Sequence, residues 1–180
     1  MKRMVLALAA SALFAGQAGA AVVDAQPHGF KVAASARIAA PPRKVWAALS
    51  TPGGWWNGDH SWFGKASNLS LDLKPGGCFC EIAAEGGALH MLVSYVKPGE
   101  ELRLWGALGP FQTLGAGGGL TIRLEPVDQG TKLSWAYTVG GYVPGGLDKL
   151  APAVDGVLAE QFGRLGRYAQ TGSPDVAEAP

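Results

Sequence analysis

The chain has 180 residues, 48% of them hydrophobic and 16% charged, a composition that fits one compact domain and excludes disorder, collagen and coiled coil. Its formal net charge is +1, and loss of Lys2 and Arg3 with the first twenty residues would turn it to −1. A chain so close to neutral has no electrostatic footprint for nucleic acid.

Met1-Lys2-Arg3 gives a positive start, Val5 to Ala15 is an apolar run, and Ala18-Gly19-Ala20 supplies the small residues a signal peptidase reads. The pattern predicts a cleaved secretory signal over residues 1–20 and a periplasmic or secreted protein with no membrane span after cleavage. The apolar run falls short of the roughly 20 residues that cross a bilayer. Export would bring Cys78 and Cys80 into an oxidising compartment. On a flat strand, however, residues two apart have Cα atoms about 6.5–7 Å apart, at the far end of what a disulfide tolerates, so buried free thiols are expected. The sequence offers no His or Cys spacing for a metal, and neither a metal nor a cofactor is expected.

The remainder reads as one domain over residues 21–171 with a flexible tail over 172–180. Phe30, Val32, Ala34, Ala36 and Ile38 alternate with polar residues at the period of a half-buried strand. Pro41-Pro42 suits a helix start, where a missing donor costs nothing, and Val45, Trp46 and Leu49 form its apolar stripe. Thr51-Pro52-Gly53-Gly54 ends that helix. From Asn68 to Val139, turn signals recur at Lys74-Pro75-Gly76-Gly77, Glu85-Gly86-Gly87, Lys97-Pro98-Gly99-Glu100, Gly109 to Gly115 and Val127-Asp128-Gln129-Gly130.

Even-numbered hairpin loops would put odd positions of one strand on the same face as even positions of the next. By that parity Leu69, Leu71 and Leu73 join Cys78, Cys80 and Ile82, then Leu89, Met91 and Val93, then Leu102 and Leu104. Leu120, Ile122 and Leu124 likewise join Leu133, Trp135, Tyr137 and Val139. The last segment supplies a cover for this face. Leu147, Leu150, Val154, Leu158, Phe162, Leu165 and Tyr168 or Ala169 recur at helical steps, with Pro152 in the first turn or at a kink. Gly156, Gly163 and Gly166 weaken such a helix, so close approach to the sheet or room for a ligand is expected at them.

Ile38 to Leu49, the Trp55-Trp56 pair, Lys74 to Glu81, Val96 to Leu102 and Gly130 to Leu133 resemble the START, Bet v 1 and polyketide-cyclase superfamily, SRPBCC, near its polyketide-cyclase and chaperone-ATPase-activator-like bacterial branches. The resemblance spans nearly the whole exported chain. It implies an α+β helix-grip fold, an antiparallel sheet of about seven strands wrapped around a long C-terminal helix, with a cavity for an apolar molecule between them. The secretion signal departs from the mainly cytoplasmic pattern of that superfamily and argues against chaperone activation.

Residues expected to hold a hydrophobic or aromatic ligand are Trp56, His60, Trp62, Cys80, Met91, Phe111, Trp135 and Tyr137. Trp135, Tyr137 and the cysteines carry the few polar atoms assigned to the apolar face, although ordinary core packing would use the same residues. Trp55, Trp56, His60 and Trp62 crowd the loop after the first helix, as a gate at the cavity mouth or as a small satellite core. Phe111 and Gln112 belong to a second rim loop. Asp59-His60-Ser61 has the residue types of a hydrolase triad, but adjacent side chains diverge and cannot form the relay.

Parity assigns Glu81 and His90 to the outer face as a surface pair, beside Phe79, Leu92 and Trp105 as a partner or weak-homodimer patch, unless a β-bulge reverses them. Three functions remain open. The leading one is a binding protein for a hydrophobic small molecule. The others are a cofactor-independent cyclase, dehydratase or lyase using His60 or His90 as base, and a protein-interaction module.

Overall fold

The computed structural model describes residues 21–176, so the expected signal and the last four residues of the tail lie outside the described residues. Strands β1 (Ala21–Gln26) and β2 (Gly29–Ile38) form a hairpin, and helix α1 (Pro42–Leu49) follows. A loop with three short 3-10 turns leads to β3 (Leu69–Leu71), β4 (Cys78–Ala83), β5 (Gly86–Lys97), β6 (Glu101–Gly106), β7 (Ala116–Val127) and β8 (Gly130–Gly141). Helix α2 (Ala151–Thr171) closes the fold. The sheet is antiparallel, in the order β1-β2-β8-β7-β6-β5-β4-β3. This is the helix-grip arrangement, with eight strands where the sequence predicted about seven. The extra strand is β1, which is mostly exposed and has no alternation to announce it.

Pro41 caps α1 in an extended conformation and Pro42 opens its first turn, while Val45, Ala48 and Leu49 are buried. Across β6, β7 and β8 the expected parity holds. Leu104 pairs with Leu120, Leu120 with Tyr137, Ile122 with Trp135 and Leu124 with Leu133, and all are buried. Against them α2 lays Leu158, Phe162, Leu165 and Ala169. Pro152 lies in the first turn of α2, and Gly172 ends it in the left-handed conformation (φ 83°), a backbone glycine adopts without a Cβ clash.

Gly166 is where α2 comes close to the sheet, since a Cβ there would meet Ile38 at 3.6 Å. Gly156 faces open space, and nothing in its surroundings explains it. Residues 173–175 turn back onto α2, where Arg167 Nε donates to the Pro174 carbonyl at 2.7 Å and Arg164 pairs with Asp175 at 2.8 Å. Among the described residues no helix is long and apolar enough to cross a membrane.

The β3–β4–β5 wing departs from the expected parity twice. Leu71 pairs with Phe79 and Leu69 with Glu81, because an odd number of residues, 72–78, separates the last paired residues of β3 and β4, so Phe79 and Glu81 face inward. Between β4 and β5 a bulge follows, in which Cys80 pairs with Leu89 and Phe79 with Met91, leaving His90 as the extra residue. The bulge restores the original phase, so Met91 and Val93 are buried as expected. Between these two irregularities the faces are exchanged. Cys78, Cys80, Ile82 and Leu89 lie on the outer side, while Glu81 and His90, expected on the surface, lie inside.

The expectation of free thiols is also corrected. Cys78 and Cys80 form a disulfide, their Cα atoms 5.4 Å apart, closer than on a flat strand and within bonding range. The outer face carries Ile82, Leu89, Leu92 and Trp105, the last 63% exposed, whereas Phe79, expected in that patch, is buried.

Candidate functional site

A half-open cavity of about 360 Å³ lies between the N-terminal half of α2, the inner face of β3 to β5, and two loops. Leu150, Ala153, Val154, Val157 and Leu158 give it one wall. Leu69, Phe79 and His90 give it the other, and Leu108 to Phe111 with Trp56 and Asp59 to Trp62 form the rim. The surface is mostly hydrocarbon with a few polar groups, the usual make-up of a small-molecule pocket, and its volume lies within the usual range.

The helix wall follows from sequence. Leu150, Val154 and Leu158 were expected on the inner stripe, and Ala153 and Val157 lie one helical step beside them. The loop from Trp56 to Phe63 is held from both sides. On the α2 side, Asn57 Nδ2 donates to Glu160 Oε1 at 2.7 Å and the Asn57 amide donates to Gln161 Oε1 at 2.8 Å. His60 Nε2 lies 3.1 Å from Glu160 Oε2. The Asn57 hydrogen bond, with help from His60, holds the Glu160 carboxyl below the usual carboxylate range. Arg164 Nε donates to the Trp55 carbonyl at 2.8 Å.

On the sheet side the anchor is Glu81. Its side chain is 0% exposed, and its two oxygens accept the backbone N–H groups of Trp62 and Phe63, each at 2.8 Å. His90 stands beside it with Nε2 3.3 Å from Glu81 Oε2, though off the direction of a good hydrogen bond. Burial pushes the His90 pKa below its ordinary value, and the neighbouring carboxylate opposes that shift only in part.

The aromatic side chains, some tilted and some stacked, form one continuous chain that joins cavity to core. His90 lies against Phe79 (ring centroids 5.2 Å), Phe79 against Trp56 (5.4 Å), Trp56 against Trp55 (5.6 Å), and Trp55 against Phe162 (6.5 Å). Phe162 then stacks on Trp135 at 5.2 Å.

The structure brings Trp56, His60, Trp62 and Phe111 together around the cavity. Trp62 is 50% exposed at the mouth, and Trp56 Nε1 donates to the His60 carbonyl at 3.0 Å. The other four expected ligand contacts lie elsewhere. Cys80 is on the outer face in its disulfide, and Met91 is buried in the core beyond the cavity wall. Trp135 is sealed under Phe162. Tyr137 is fully buried, its hydroxyl toward the Leu108 backbone without a well-formed hydrogen bond, and burial pushes its pKa up to about 12.

Gln112 leaves the rim to donate to the Leu89 carbonyl at 3.1 Å. The Ser61 hydroxyl donates to the Gly58 carbonyl at 2.7 Å, so Asp59-His60-Ser61 makes no relay. Sequence reasoning missed Phe79, Glu81 and His90 as inward groups and Glu160 as a rim partner. Among the described residues no three His, Cys, Asp or Glu side chains are grouped to hold a metal ion.

No curated protein matches the sequence significantly. Solved structures share the fold. A conserved protein of unknown function from Enterococcus faecalis superposes with a TM-score of 0.57 at 15% identity, covering 91% of this chain and 81% of its own. CalU16 from Micromonospora echinospora gives 0.56 at 17% identity, with 88% and 87% covered. DynU16, a putative protein in the dynemicin biosynthetic locus, gives 0.59 at 21%, covering 80% of this chain and 48% of DynU16. A family model described as polyketide cyclase / dehydrase and lipid transport matches residues 29–170, from β2 to the last turn of α2, and so takes in both cavity walls. With that match added to the helix-grip fold, the chain belongs to the polyketide cyclase/dehydrase and lipid transport family of the SRPBCC superfamily.

Proposed function

We propose that this is a periplasmic or secreted binding protein that holds a hydrophobic or aromatic small molecule between α2 and the β3–β5 wing. The observation that carries the reading is the apolar, half-open cavity of about 360 Å³. Trp56, Trp62 and Phe111 offer aromatic faces to the ligand, and the loop pinned by Glu81 and Glu160 forms the mouth. Burying about 200 Å² of apolar ligand surface supplies about 5 kcal/mol before the costs of association. Export is supported by the signal-like pattern of residues 1–20 and accords with the Cys78–Cys80 disulfide.

Native mass spectrometry of protein purified from its own compartment should show a co-purified apolar molecule. Val157→Trp, which pushes an indole into the cavity, should abolish both that adduct and the binding of an anilinonaphthalene dye while leaving the circular dichroism unchanged. Absence of binding in native material and across a broad hydrophobic screen overturns the reading.

A further inference from the structure

His90 is a polar side chain in the cavity wall for which apolar ligand binding alone has no use. It is 6% exposed, and the exposure it keeps opens onto the cavity. A regular β5 that kept Met91 and Val93 inside would have turned His90 outward with Leu92, so the bulge is what brings an imidazole to a wall that a leucine would fill more cheaply. Bulges of this kind re-aim single side chains next to functional sites.

Glu81 fixes what that imidazole presents. A carboxylate can only accept, and Glu81 sits 3.3 Å from Nε2. Even without a well-aligned hydrogen bond, the negative charge beside Nε2 favours the neutral tautomer with its proton there, which leaves the lone pair on Nδ1. Nε2 is the ring nitrogen sealed away from the cavity. Glu81 is itself held in place by the Trp62 and Phe63 amides, which sets the ring's position from behind. Burial favours the neutral ring, so near neutral pH the cavity offers a hydrogen-bond acceptor set in hydrocarbon. Phe79, Leu69, Leu108 and Leu158 complete the surroundings.

We propose that His90, set by Glu81, is an acceptor subsite that selects apolar, ring-sized ligands bearing a weakly acidic hydroxyl, a phenol or an enol. This rests on the cavity being a ligand site, and the test separates the two claims. Calorimetric titration at pH 7.5 would compare 1-naphthol with 1-methoxynaphthalene, which has the same rings but no O–H. The wild type should bind the naphthol roughly ten-fold more tightly, the value of one neutral hydrogen bond in a dry site. His90→Leu should reduce that ratio to about two-fold or less while still binding both compounds.

The same loss should follow in the wild type on acidification, as His90 gains its second proton and ceases to accept. Among the described residues the other titratable groups facing this space are Glu81, Asp59 and His60, and His60→Gln should leave the acid-induced loss in place. This second route holds even if His90→Leu does not fold. Equal affinity of both compounds for the wild type, or a preference that survives His90→Leu, overturns the subsite and leaves the cavity reading standing. Failure of both compounds to bind a folded wild type overturns both.

Discussion

Across β6, β7 and β8 the alternation of inner and outer residues runs without interruption, and the inner row joins one buried cluster with Phe162 and Leu165 of α2, Trp135 stacking on Phe162. Across β3, β4 and β5 the phase is lost at an odd connection and regained at the His90 bulge. On the regular wing the inner residues are buried, and Phe162 of α2 stacks on Trp135. On the irregular wing a buried carboxylate and imidazole face inward, a loop is pinned over them, and a cavity opens. One sheet thus serves two purposes, with close packing where the strand geometry is ideal and a chemically furnished hollow where it is broken.

That division can be tested by damaging each wing separately. The largest effect should come from the packed wing. Phe162 is buried between Trp135 and Trp55, so Phe162→Ala should cost about 3–5 kcal/mol in urea unfolding. A loss below about 1 kcal/mol would mean that this contact is loose and the contrast between wings is wrong.

On the open wing Glu81 should matter next. Glu81→Ala leaves the Trp62 and Phe63 amides without their acceptor and should cost about 2–3 kcal/mol, less where the freed loop reaches water. Glu81→Gln, which keeps one acceptor oxygen, should fall between the two. Amide exchange at Trp62 and Phe63 should accelerate in Glu81→Ala while exchange in β7 and β8 stays slow. Acceleration across the whole sheet would show that the wings unfold as one unit.

How far this was legible in the sequence follows the same line. Strand alternation, Pro41-Pro42 and the stripe from Leu147 to Ala169 are local signals, and the regular wing, α1 and α2 rest on them. The aromatic cluster from Trp56 to Trp62 marked one rim, and Phe111 the other. The inward turn of Glu81 and His90 depends on the length of the β3–β4 connection and on one inserted residue, and neither leaves a mark in hydrophobic periodicity. Assuming an even connection at Lys74 to Gly77 sent Cys80 inside and Glu81 outside, the reverse of their positions. Trp135 and Tyr137 were placed on the correct face, but Phe162 fills the space that a ligand would need to reach Trp135.

His90 gives the open wing a pH dependence just below neutrality. Burial depresses its folded pKa, while in the unfolded chain it titrates near 6.5. Between those two values the unfolded state binds more protons, so this contribution to stability is complete above about pH 6.5 and is lost as pH falls toward the folded value. Urea unfolding of the wild type between pH 5 and 7.5 should show that decline, and His90→Asn should remove its share. The opposite slope would mean that attraction to Glu81 outweighs the burial of the ring.

The smallest effect should come from the outer side of the same wing. The Cys78–Cys80 bond closes a loop of only three residues, so reduction removes little chain entropy and should cost no more than about 1.5 kcal/mol. The register shift lies beside this bond, and on the inner side Glu81 is held by the Trp62 and Phe63 amides, independently of the disulfide. Reduced protein, or Cys78→Ser with Cys80→Ser, should therefore keep the His90 wall and its ligand affinity nearly unchanged. A large fall in affinity on reduction, with stability little altered, would show that the covalent link on the outer face sets the position of the imidazole inside.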